Sequence, residues 1–251
     1  MHPRLASRRA DVGREAGRRR LMMLLGALSL LSVVVIAYVA LHSSLFAARH
    51  VTIVGNQATT DQQILDASGM LAHPALLNID VAREQSSIER LPFIDTAVIH
   101  REWPDSVLIT VTERNPVATF SVSAHLFGVV DETGRLLEIS SAPPTGLVPL
   151  VIPGLTSLTP GHSLPRADAL LALVASAVPE SILRAIATVE GTSTGVVVQL
   201  RSGAKAELGQ ATDLVAKMTA LATMLATPSV VLGAHSSIDL RVPDAPVVTS
   251  S

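Results

Sequence analysis

The sequence predicts an α+β fold hung on one transmembrane helix: a small β-α-α-β-β domain, then a mixed, β-rich domain with two helices. Three observations predict it. A charge-free apolar run lies near the N-terminus. Two runs of alternating side chains flank a break at Trp103-Pro104-Asp105-Ser106. Beyond Pro116, short β-branched runs alternate with Gly/Pro/Asp turns, interrupted by two amphipathic helical patterns.

The apolar run is Leu21 to Leu41, and no Asp, Glu, Lys or Arg occurs between Arg20 and Arg49. About 20 apolar residues are what a helix needs to cross the hydrocarbon layer. Gly26, Ser29 and Ser32 are tolerable there, since a serine hydroxyl can bond back to its own backbone. A cleavable signal peptide has an apolar core of about 7–15 residues. The greater length here favours an uncleaved anchor over cleavage near Ala47-Ala48. Arg18, Arg19 and Arg20 abut one end, whereas the other end has His42, two serines and a lone Arg49. Such asymmetry places the N-terminus in the cytoplasm and the C-terminal bulk outside, a type II arrangement.

The expected layout is a disordered Arg-rich tail over 1–20, a span over 21–46, a first domain over 47–115, a second over 116–248 and a tail over 249–251. The first twenty residues carry seven Arg against Asp11 and Glu15, a net +5, and the remainder carries −7. A basic tail beside an acidic body argues against a nucleic-acid-binding body. Cysteine is absent, which excludes disulfides, thiol catalysis and cysteine metal sites together. With aromatics at 2%, the core must come from Val, Leu, Ile and Ala.

Arg49 to Val54 alternates and ends in the turn pair Gly55-Asn56, so it reads as a short strand. Thr60 to Gln63 is a capping-box pattern opening a helix that runs to about Ser68 and stops at Gly69. Asp80 caps a second helix with Val81, Ile88 and Leu91 on one face, ended by Pro92. Next comes the hairpin. Thr96, Val98 and His100 alternate with Ala97, Ile99 and Arg101; beyond the turn Val107, Ile109 and Val111 alternate with Leu108, Thr110 and Thr112. Pro104 fixes φ for the turn. Neither helix nor strand buries its apolar side alone, so the two helices cover one face of a three-stranded sheet.

In the second domain Leu126 to Ile139 reads as two strands around Asp131-Glu132-Thr133-Gly134, with Gly134 where φ is positive. A helix follows over 165–178, with Leu170, Leu171, Leu173, Val174 and Val178 inward. Strands are expected near 186–190, 195–200 and 204–208, and an amphipathic helix over 212–225. Ser237 to Val242 is a strand broken at Pro243-Asp244, and Pro246-Val247-Val248 makes a last short one.

The β-α-α-β-β order resembles a POTRA domain, and the wording resembles the bacterial cell-division family FtsQ, also called DivIB. That family runs V-x-x-I-x-V-x-G-N, then V-R-x-W-P-x-x-L-x-I-x-V-x-E-R-x-P-V-A. Val51, Ile53, Val54, Gly55 and Asn56 match the first part. Arg101, Trp103, Pro104, Leu108, Ile109, Val111, Glu113, Arg114, Pro116, Val117 and Ala118 match the second. The resemblance implies a non-enzymatic divisome scaffold at the septal membrane. Its implied partners are FtsB/DivIC-like and FtsL-like proteins outside the membrane, and a septal wall synthase of the FtsW/FtsI kind.

Patterns associated with enzymes occur only as isolated matches, without the context that would make them sites. The eight His are scattered singly, with no H-x-x-x-H or H-E-x-x-H. Gly191-Thr192-Ser193-Thr194-Gly195 fits G-x-S-x-G and Ser202-Gly203-Ala204-Lys205 fits S-x-x-K, but each falls in the turn between two expected strands and not on a strand-to-helix elbow or a helix, and no glycine cluster makes a phosphate loop. Neither a metal nor a cofactor is implied. Asp131-Glu132 reads as a solvated turn, and Glu113-Arg114 as a structural pair ending a strand and holding domains together. Gly55, Asn56, Arg101, Trp103, Pro104, Glu113, Arg114 and Pro116 are therefore motif residues with structural roles. What is left is surface. The last strand, Ile238 to Val248, leaves an open edge to which a partner strand can add. In the family this C-terminal edge docks the partner subunit, which by position implies Arg241, Val242, Asp244, Ala245, Pro246, Val247 and Val248. Lys217, on the preceding helix, is expected to supply a charged contact. Pro243 and Pro246 are expected to remove two donors from the edge. The alternatives from other classes are a POTRA-bearing transport or chaperone component and a membrane-anchored wall enzyme.

Overall fold

The computed structural model describes residues 4–43, 46–155, 158–227, 233 and 235–250. Residues 1–3 of the expected tail, 44–45 of the expected span and Ser251 lie outside the described residues. Contacts divide the chain into two compact units, one of residues 1–54, 61–85 and 98–110, the other of 55–60, 86–97 and 111–251.

Helix α1 runs from Arg4 to Leu41, so the helix extends through a stretch expected to be disordered. Arg, Ala and Leu are good helix formers, and adding turns to a helix already nucleated costs little. Its segment Arg20–Leu41 is long and apolar enough to cross a membrane, and none of it is buried by the protein. Strand β1 (His50–Val54) is followed by α2 (Asp61–Ser68), short 3₁₀ turns at Met70–Ala72 and Leu76–Asn78, and α3 (Val81–Ile88). The cap of α3 is as expected: the Arg83 N–H donates to Asp80 Oδ1 at 3.2 Å. The hairpin is β2 (Ile94–Glu102) and β3 (Ser106–Glu113), joined through a cis Trp103-Pro104 bond. The sheet order is β1-β3-β2, with β1 parallel to β3. In the first unit the buried apolar side chains come from the helical turns (Ile64, Met70, Leu76) and from one face of the strands (Ile99, Val107, Ile109). That is the division of labour the alternation predicts.

The second unit holds a nine-stranded sheet in the order β12-β11-β10-β9-β8-β7-β4-β5-β6. Strands β4 (Ala118–Ser123), β5 (Leu126–Val130) and β6 (Leu136–Ser140) form one antiparallel meander. A second is formed by β8 (Ile186–Thr192), β9 (Gly195–Leu200) and β10 (Lys205–Gly209). Between them β7 (Val148–Val151) pairs parallel to both β4 and β8. Helices α4 (Arg166–Ser176), α5 (Glu180–Leu183) and α6 (Leu214–Ala226) complete the unit. Phe120, Leu136, Ile186 and Met218 are among its fully buried side chains, each contributing about 1.5–3 kcal/mol. Leu171, Val174 and Ala175 of α4 are buried, whereas Leu170 and Leu173 are exposed rather than inward. A helix laid on one face of a sheet hides only a single stripe.

The wording around the hairpin has a mechanical reason within the second unit. Gly55 has φ +97°, and a Cβ there would stand 2.0 Å from the Val111 carbonyl oxygen, so no other residue fits so close an approach. The Glu113 carboxylate accepts the backbone N–H groups of Gln57, Ala58 and Thr59 at 3.0, 2.9 and 2.7 Å. Burial pushes its pKa up, but these bonds outweigh burial and hold it below the ordinary value. Arg114 donates to Asp131 and to Asp95, both at 2.8 Å, and to the Ile94 carbonyl at 3.1 Å. Asp131 is only 2% exposed, so it is not the solvated turn residue expected. Its carboxylate accepts from Thr133 and from the Arg135 N–H as well as from Arg114. Burial raises its pKa, and those donors together lower it past the ordinary value. Arg135 reaches back to the carbonyls of Glu89, Arg90 and Leu91 at 3.3, 3.0 and 3.3 Å. One guanidinium nitrogen, Nη2, thus gathers three successive carbonyls of the turn that follows α3. Glu113 and Arg114 thus both have several partners within the second unit.

Candidate partner-binding edge

The C-terminal residues fold as two strands on either side of the expected break at Pro243-Asp244, β11 (Ser236–Asp239), which stops short of Val242, and β12 (Val247–Ser250). β11 pairs parallel to β10, and β12 returns antiparallel to β11 with Ile238 opposite Val248 and Asp239 opposite Val247. The two prolines, Pro243 and Pro246, fall in the connection rather than in the ladder. They therefore take no donor from the edge, contrary to the expectation. β12 is the outermost strand, and its outer side pairs with no strand among the described residues. An unpaired row of N–H and C=O groups is a template for one more strand.

Of the expected site residues, Val247 and Val248 lie on this strand, while Arg241, Val242, Asp244, Ala245 and Pro246 lie in the loop that delivers it. Val247 is 55% exposed and Val242 is more exposed still, so apolar surface accompanies the open backbone. The Arg241 guanidinium is already engaged: its Nε lies 2.9 and 3.0 Å from the two Asp239 carboxylate oxygens, and Nη2 also donates to Oδ2. The Arg241 N–H adds a third donor at 3.0 Å. These bonds hold Asp239 down to about 2 and raise the pKa of Arg241. A partner carboxylate would have to compete with Asp239 for the same fork.

Lys217 is misplaced by sequence reasoning. It is 2% exposed, and its Nζ donates to the Leu208 and Gln210 carbonyls at 2.8 and 2.9 Å. It therefore pins the end of β10 from inside, where it is not available as a surface charge. The feature sequence reasoning missed is a groove of about 460 Å³ between α6 and the 243–246 loop. Ala216, Thr219, Ala220, Thr223 and Met224 form its helical wall. Their spacing of three and four residues is the signal that marks one helix face. The small Ala and Thr side chains there keep the groove open beside the loop that leads into β12. Among the described residues no group of His, Asp and Glu is placed to hold a metal ion.

Taken together, an apolar helix long enough to span a membrane, a β-α-α-β-β unit and a β sheet with an open edge define a membrane-anchored protein with a POTRA-like domain. Residues 46–114 match the family model described as the FtsQ-type POTRA domain. Over 248 residues the chain is 29% identical to the cell division protein FtsQ of Streptomyces collinus, covering 95% of this chain and 92% of that one. FtsQ of Mycobacterium tuberculosis (strain ATCC 25618 / H37Rv) is 26% identical over 232 residues, covering 89% of this chain and 69% of that protein. The extracytoplasmic domain of DivIB from Geobacillus stearothermophilus overlaps at a TM-score of 0.27 and 22% identity, over 38% of this chain and 76% of that one, too weak a superposition to carry weight. Along most of its length the chain is thus similar to cell division proteins named FtsQ, and residues 46–114 carry the FtsQ-type POTRA pattern.

Proposed function

We propose that this chain is a divisome scaffold that binds FtsB/DivIC-like and FtsL-like partners outside the membrane and thereby helps assemble and regulate septal wall synthesis. The observation that carries the reading is β12: a terminal strand with one side unpaired, apolar side chains exposed on it, and a groove alongside. A partner strand adding there gains main-chain hydrogen bonds for affinity, and Val247, Val248 and the groove read its side chains. Arg241, Val242, Asp244, Ala245 and Pro246 border that strand. The N-terminal arginines on the cytoplasmic side orient α1 so that the sheet stands outside. In this reading the POTRA domain ends near Asn115, the second domain begins at Pro116, and the protein concentrates at the septum.

The test is Val247→Asp in the full chain, reconstituted in lipid discs and titrated with the partner's extracytoplasmic segment. A carboxylate forced into a strand junction should cost at least about 2 kcal/mol, about 30-fold in Kd, with an unchanged melting temperature. Unaltered affinity would sink the proposal.

A further inference from the structure

Aromatic side chains are scarce in this chain: one Trp, one Tyr and four Phe. Three of the six gather at one end of the apolar helix. Tyr38 lies in the last turn of α1, with its ring centroid 4.2 Å from that of His42. Phe46 follows Leu41, the last residue of α1, by five residues. Trp103 meets Phe46 edge to face, with centroids 5.7 Å apart and planes at 64°. The turn that carries Trp103 is tied to the same stretch of chain through its Asp105 carbonyl, which accepts the N–H groups of Arg49 and His50 at 2.9 and 3.2 Å. Even so, Trp103 is 52% exposed. Its partner ring covers one edge, and the rest of a large apolar surface is left to solvent, at a cost of about 25 cal/mol per Å².

Length decides where this surface lies. The apolar segment Arg20–Leu41 has 22 residues, about 33 Å of helix, against a hydrocarbon layer of about 30 Å. Leu41 is then at the boundary. Five peptide steps reach at most about 18 Å, so Phe46, and Trp103 with it, are confined to the neighbourhood of the headgroups. An indole has an apolar body and one N–H donor, the combination that is enriched at membrane–water interfaces.

We propose that Trp103 and Phe46 form an interfacial anchor, which seats the β2–β3 turn in the headgroup layer of the membrane crossed by α1. Tyr38 is the hydrocarbon-side member of the same belt. The occupant of the exposed indole face is lipid, because the tether holds that face at the bilayer surface whether or not a protein partner is bound. The inference rests on α1 being a span and is independent of what binds β12.

Because Trp103 is the only tryptophan, the natural chain reports its own position. The full chain is reconstituted into phosphatidylethanolamine/phosphatidylglycerol vesicles, and its intrinsic fluorescence is recorded with ordinary lipid and with lipid brominated high on the acyl chains. Expected are emission at shorter wavelength than in the unfolded chain, loss of intensity with brominated lipid, and protection from aqueous iodide. Long-wavelength emission that iodide quenches would overturn the proposal. So would short-wavelength emission indifferent to brominated lipid, which would mean burial against protein. Chain that fails to float with the vesicles overturns the span and the anchor together; chain that floats with an unquenched indole overturns the anchor alone.

Discussion

Replacing Arg114 by Met removes one guanidinium and leaves most of the packing volume. Two carboxylates lose a partner, and they are not equivalent. The Asp95 side chain is about half exposed and the Asp131 side chain is almost fully buried. An exposed pair is worth about 0–1 kcal/mol. A buried carboxylate stripped of its cation costs about 3–5 kcal/mol. Asp131 keeps the Thr133 hydroxyl and two backbone N–H groups, so the lower end applies and the net expectation is about 3 kcal/mol. For a unit of this size that lowers Tm by roughly 6–12 °C, measurable by scanning calorimetry of the reconstituted chain. The effect should also depend on pH in a stated direction. In the folded chain the Asp131 pKa lies below its ordinary value. Its contribution is therefore present above the unfolded pKa of about 3.9 and is lost as pH falls through the folded value. Without Arg114 the folded pKa rises, because burial remains. The deficit of Arg114→Met should therefore be largest near neutrality and shrink on acidification. In the double variant with Asp131→Asn the losses should fail to add by about 1–3 kcal/mol. A loss below about 1 kcal/mol at neutral pH, or additive single losses, would refute the account of Arg114 as partner to a buried charge.

Lys217→Ala should destabilise by about 2–4 kcal/mol, through lost packing and two orphaned carbonyls, whereas a surface lysine would be neutral; denaturant melts decide. Asp239 should titrate near 2 by NMR in the native chain and return toward about 3.9 in Arg241→Ala. An unmoved titration would mean that the fork is not what holds it.

Much of the first fold was legible because its signals are local. The alternation from Ile94 to Glu113 names the buried face outright, since Ala97, Ile99, Val107, Ile109 and Val111 are all buried. Asp80 announces its helix because a side-chain cap acts within three residues. Strand β7 carried no comparable signal. β7 is four residues with a proline inside it, and it is a strand only because β4 and β8 supply partners from distant parts of the chain. At the candidate edge Val247 and Val248 are exposed, and the burial of Lys217 was not legible. Lys217 looked like surface because lysine usually is, and only the tertiary fold brings the Leu208 and Gln210 carbonyls to it. The indole of Trp103 illustrates the opposite error. It reads as a structural motif residue, and nothing in the motif announces that the turn leaves half of it in the open.

The place of β7 has a kinetic consequence. Both meanders close through contacts near in sequence, but the sheet becomes one only when four residues find partners roughly 30 residues upstream and roughly 40 downstream. Loop entropy must be met on both sides before either parallel ladder repays it. Refolding of the second unit is accordingly governed by this stitch rather than by either hairpin. Destabilising Val148 or Leu150 should slow folding, while equal losses placed in β12 should chiefly speed unfolding.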